Sequence, residues 1–129
     1  MKESMPEEKL LHGDVTRKVI GAAMEVHRIL GPGFLEVVYE QALAHELTLR
    51  GVAFERQKTF GVPYKTIDAG IYRPDFVVED KVIVDVKAIV KLTSLEEALI
   101  INYLKVTKLR VGLAINFAEP SLAYIRRVL

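Results

Sequence analysis

The chain of 129 residues contains no cysteine, which excludes disulfides and thiolate metal sites. No apolar run approaches the ~18 residues needed to cross a bilayer, so no membrane segment is expected. Residues 1–11 are acidic and polar and lack an apolar core. A signal peptide is therefore not expected, and the cytoplasm is the expected location. Internal repeats, low-complexity tracts, linkers, phosphate-binding loops and dinucleotide fingerprints are all missing. Net charge is small, at +1, whereas a protein that coats nucleic acid nonspecifically is usually strongly basic. His12, His27 and His45 have no ligand spacing, which argues against zinc. His27 follows an apolar stripe and reads as a hydrogen-bonded packing residue.

What is present suits one α/β domain. Half of the residues are apolar, and a chain of this length buries roughly two-thirds of its unfolded surface, enough for a single core. Residues 1–12 read as a solvated N-terminal arm because their charges leave little to bury, and residues 13–129 as one domain. Val15, Val19, Ala22, Ala23, Val26 and Leu30 recur at helical spacing, so a helix is expected from an Asp14 cap to Leu30, stopped by Gly31-Pro32-Gly33. A second helix is expected over 35–50. Strands follow over 52–64, with a bend near Gly61 to Pro63, then over 71–78 and 82–87. Glu79-Asp80-Lys81 connects the last two as a hairpin. A third helix over 95–108 and strands over 111–117 and 123–128 complete the order ααβββαββ. That order implies a mixed β-sheet flanked by helices.

The sharpest chemical feature is Arg73-Pro74-Asp75, then nine residues, then Asp85-Val86-Lys87. Strand alternation puts Asp85 and Lys87 on one face of a strand whose other residues are apolar. Charges on an inner face are costly unless paired or bound to a metal. One reading is an Asp–Lys ion pair that only orders the sheet. The other is phosphodiester hydrolysis, in which carboxylates hold a hard cation and a lysine stabilises charge developing on the phosphate. Sharing a cation requires Asp75 and Asp85 on the same face. A two-residue turn would oppose Asp75 to Val84 and separate them, so an odd-length turn or a bulge is expected.

Further residues carry a resemblance. Gly33-Phe34-Leu35-Glu36-Val37-Val38-Tyr39 reads G-x-x-E-x-x-Y, preceded by Val26 to Pro32. It is followed by Asp75, Asp85-x-Lys87, Asn102-Tyr103-Leu104 and Gly112 to Phe117. Together these resemble the GxxExxY protein family of the PD-(D/E)xK nuclease superfamily over nearly the whole chain. The resemblance implies a restriction-endonuclease-like core with Asp75, Asp85 and Lys87 as the catalytic trio. It implies Glu36 as a helix acid adding a metal contact, and Val86 as a backbone carbonyl donor. It also implies Mg²⁺ or Mn²⁺ as cofactor and nucleic acid as partner, DNA before RNA. The chain departs from the pattern at Asp85, where Glu is usual. It has Leu99 where Gln precedes the tyrosine by one turn, and Glu96 where His is common.

Helical geometry places Glu36 between Leu43 and Leu47, on the apolar half of its helix, though a first-turn acid also favours the helix dipole. Glu46 can pair with Arg50. Tyr39 and Tyr103 read as core residues with satisfied hydroxyls. Lys105, Lys108, Arg110, Arg126 and Arg127 form either a DNA-facing rim or a solvated face. Leu95, Leu99, Ile100, Ile101, Leu104 and Val106 make the third helix apolar nearly all round, which suggests self-association as a homodimer. Two alternatives to a nuclease stay open: a catalytically silent relative that binds nucleic acid or protein, and a structural dimer.

Overall fold

The computed structural model describes residues 10–129. Most of the expected solvated arm, residues 1–9, lies outside them. The last part of that arm is tied down. Leu11 packs against the core, and its carbonyl accepts from Arg126 at 2.6 Å.

Two helices lead: α1 (Gly13–Leu30) and α2 (Glu36–Leu49). The α1 start differs from expectation. Its N-cap is His12, in the left-handed region at φ 53°, and the preceding turn is closed by the Gly13 N–H on the Leu10 carbonyl at 2.9 Å. Asp14 sits in the first turn, where its charge complements the helix dipole. Between the helices, the Tyr39 hydroxyl donates to the Gly31 carbonyl at 2.5 Å and accepts from Phe34 N–H at 3.1 Å. Its ring stacks on Phe117 at 4.8 Å. The tyrosine of the G-x-x-E-x-x-Y run thus pins the loop that sets where Glu36 begins α2.

Among the described residues five strands precede the third helix, where three were expected. They are β1 (Phe54–Arg56), β2 (Phe60–Tyr64), β3 (Ile67–Tyr72), β4 (Phe76–Val78) and β5 (Val82–Lys87). After them come α3 (Ser94–Thr107), β6 (Val111–Asn116) and β7 (Ala123–Val128). The expected strand over 52–64 divides into β1, which joins the main sheet, and β2, which pairs with β3 in a separate two-stranded sheet. The expected strand over 71–78 breaks at Arg73-Pro74, because proline has no N–H for the ladder.

The main sheet has the order β1-β4-β5-β6-β7. Only β5 and β6 run parallel, joined across α3; the other neighbours are antiparallel. This mixed five-stranded sheet with helices on both faces is a restriction-endonuclease-like core. One face carries Phe76, Val78, Val82, Val84, Val86, Leu113 and Ile115, buried under α1 and α2. The other carries Ile83 and Ala114, packed with Ile100 and Leu104 of α3 and with Phe60 and Val62 of β2. Gly112 lets α3 sit close, since a Cβ there would meet Ile100 at 2.8 Å.

Candidate active site

Asp75 and Asp85 come together through the hairpin. Phe76 pairs with Val84, Val77 with Ile83 and Val78 with Val82. The connection is therefore three residues, with Glu79 opposite Lys81, as parity requires. Glu79 and Asp80 adopt φ of 52° and 56°, which turns the chain in that odd length. The same register carried one step further opposes Asp75 to Asp85 on the face that also holds Lys87.

At that point the backbone ladder gives way to side chains. The Asp75 N–H donates to Asp85 Oδ1 at 3.1 Å, and the Val86 N–H donates to Asp75 Oδ2 at 2.7 Å. Tyr72 donates its hydroxyl to Asp85 Oδ2 at 3.2 Å, with Oδ1 at 3.4 Å. Asp85 is 6% exposed. Burial pushes its carboxyl above the ordinary range, against the opposing pull of the Asp75 N–H, the Lys87 charge and the Tyr72 hydroxyl. Asp75 is half-buried and is pushed up to about 7, first by burial. The Val86 N–H opposes that rise, while the charges of Asp85, Glu40 and Glu36 add to it. Tyr72 is held well above the ordinary phenol range by burial and by the Asp85 carboxylate. The Lys87 charge reaches Asp85, Glu96 and Tyr103, and among the described residues Lys87 forms no ion pair.

Residues 13–128 match the family model of the PD-(D/E)XK nuclease superfamily. The chain belongs to the PD-(D/E)XK nuclease superfamily. No curated protein matches it. Among solved structures it is similar to an alkaline exonuclease from Laribacter hongkongensis, at 14% identity. The similarity covers 84% of this chain and 68% of the exonuclease, with a TM-score of 0.48.

PD-(D/E)XK nucleases typically use divalent metals, and the residues present suit such an ion. Asp75 and Asp85 offer only oxygen donors, which hard cations prefer. Among the described residues Asp75 Oδ1 accepts no hydrogen bond, and two buried carboxylates that resist ionisation are groups a cation would stabilise. Glu36 is the first residue of α2 and is exposed, not set among the apolar neighbours its helical wheel suggested. Its charge acts on both aspartates. Yet no three acids, histidines or cysteines among the described residues form a ready metal cluster. Val86 enters through its N–H on Asp75, with its side chain buried on the opposite face.

The other singled-out residues separate into roles. His27 hydrogen-bonds the Glu119 carbonyl at 2.9 Å, and Glu46 pairs with Arg50 at 2.7 Å, both as expected. Glu96 closes a capping box at the start of α3. Its carboxylate takes the Thr93 N–H at 2.7 Å, so this departure from the family pattern has a structural function. Leu99 is half-buried one turn before Tyr103. The supposed basic rim is divided: Arg126 holds Leu11 and Arg127 pairs with Glu97 at 2.6 Å.

Three residues of the site escaped sequence reasoning. Glu40 acts on Asp75, and its position one helical turn after Glu36 was the available signal. Tyr72 reaches Asp85 only because the chain bends at Arg73-Pro74, and strand parity alone would put it on the wrong face. Asn116 lies opposite Lys87 in the parallel pair. It is fully buried and clamps Ile89 from both sides, accepting from its N–H at 3.0 Å and donating to its carbonyl at 2.9 Å. It thereby fixes the chain just after Lys87.

Proposed function

We propose that the protein is a Mg²⁺- or Mn²⁺-dependent nuclease of the GxxExxY type that hydrolyses phosphodiester bonds in DNA. The observation that carries this reading is the β4–β5 register, which sets Asp75 against Asp85 on the face bearing Lys87. Asp75 and Asp85 would hold the cation, with the Val86 carbonyl and Glu36 as further oxygen donors. A bound divalent cation supplies Lewis-acid polarisation of the phosphate. The chain's own residues do the rest. The Val86 and Asp75 N–H groups fix the two carboxylates. Lys87 stabilises charge developing on the phosphate and orients the attacking water. Asn116 steadies the peptide that follows Lys87. Glu36 stands exposed at the positive end of α2.

The reading is tested by titrating the protein with Mn²⁺, with and without Asp85→Ala. Wild-type protein is expected to bind the ion and the variant to lose most of that affinity. Equal affinity in the two would overturn the site.

A second reading has one observation behind it. Leu99 presents an apolar side chain one turn before Tyr103, and the capping box occupies Glu96. Both remove polar groups from the α3 side of the site, which suits a relative that binds nucleic acid without cutting it. Mn²⁺ binding and DNA retention without cleavage would favour that reading.

A further inference from the structure

We propose that Tyr72 is a positioning residue that orients the Asp85 carboxylate for a divalent cation. The proposal rests on the cation reading above. Tyr72 ends β3, in the small sheet rather than the main one, and pairs with Phe60 across that hairpin. Its ring is 8% exposed and stacks on Tyr103 of α3, with centroids 3.7 Å apart and planes 12° from parallel. The stack leaves the phenol little freedom to swing. Its hydroxyl is thereby held against Asp85, at 3.2 Å from one oxygen and 3.4 Å from the other.

Three residues later the Asp75 N–H donates to Oδ1 of the same carboxylate. The segment 72–75 therefore grips Asp85 with one side-chain and one backbone donor. A carboxylate offers about four lone-pair sites, so these donors leave acceptor capacity on both oxygens. The terminal torsion of an aspartate is broad and has no sharp well of its own. With only the Asp75 N–H remaining, one oxygen would be held and the other would be free to rotate away. A buried tyrosine needs a partner for its hydroxyl, and here that partner is the Asp85 carboxylate rather than a backbone carbonyl.

The test is calorimetric titration of the full chain with Mn²⁺ alone, comparing wild type, Tyr72→Phe and Tyr103→Phe. Both variants keep the stacked rings and the core volume. Tyr72→Phe is expected to weaken Mn²⁺ binding about tenfold, as befits loss of a hydrogen bond to a charged group. Its unfolding midpoint without metal should fall only modestly, by one lost hydrogen bond, because the stacked ring remains. Tyr103→Phe is expected to bind Mn²⁺ as wild type does. Unchanged affinity in Tyr72→Phe overturns the inference and leaves the cation reading standing. Equal losses in both variants overturn it too, because the cause would then be repacking rather than the hydroxyl. Wild-type protein that binds no Mn²⁺ removes the cation reading and this inference with it.

Discussion

Two aspartates in this fold carry charges that their surroundings oppose, and the opposition has a measurable consequence. Unfolded, Asp75 loses its proton near the ordinary 3.8; folded, it keeps the proton up to about 7. Between those values the folded state binds more protons, so stability falls as pH rises through that window. Metal-free protein should therefore show an unfolding midpoint that declines from about pH 4 to about pH 7. In Asp75→Asn the decline should be smaller, and adding Mn²⁺ at pH 8 should raise the wild-type midpoint. Thermal unfolding in chelator across that range checks the first two, and a scan at pH 8 with Mn²⁺ in place of chelator checks the third. Asn116 gives a second residue-scale expectation. Asn116→Ala strips the Ile89 N–H and carbonyl of their partners, and each unsatisfied buried group costs about 1–3 kcal/mol. Partly exposed Ile89 should recover some of this through water. A loss of about 2 kcal/mol is expected in urea denaturation.

At the scale of elements, the helices and the strands over 82–87, 111–117 and 123–128 were legible in the sequence, and the division of residues 52–78 into strands was not. Apolar recurrence at helical spacing located α1 and α2 to within a residue or two, because a helix makes its own hydrogen bonds and its pattern is local. Strands make theirs with distant partners. Nothing in residues 52–64 says that β1 pairs with β4 while β2 pairs with β3. Local turn chemistry was more informative. The hairpin parity followed from the spacing of Asp75 and Asp85, and the structure has the odd connection that spacing demands. The Thr93–Glu96 capping box was in the sequence but went unread, since Glu96 was weighed only as a departure from a family pattern. Thr93→Ala should remove the Leu95 N–H acceptor and the hydroxyl's own bond to Glu96, leaving the Thr93 N–H on Glu96. That costs about 1 kcal/mol, read as a small drop in urea midpoint with metal affinity unchanged.

Across the whole molecule, the sheet divides the work. Its α1–α2 face is a dry aliphatic core, and its α3 face carries the acids, the lysine and the tyrosine stack. Helix α3 buries Glu96, Ile100, Leu104 and Thr107, leaving Leu95 exposed and Leu99 and Ile101 partly so. That surface is where the expected self-association is to be tested. Light scattering at high protein concentration should give the mass of two chains; a monomer mass would contradict it. No described helix is long and apolar enough to cross a membrane. The central claim concerns the site, and one comparison reaches it most directly. DNA cleavage with Mn²⁺ is measured for wild-type protein and Lys87→Ala purified in the same way. Wild-type cleavage is expected to stop with chelator and to fall by about two to four orders of magnitude in the variant. Cleavage by Lys87→Ala at the wild-type rate would contradict the assignment.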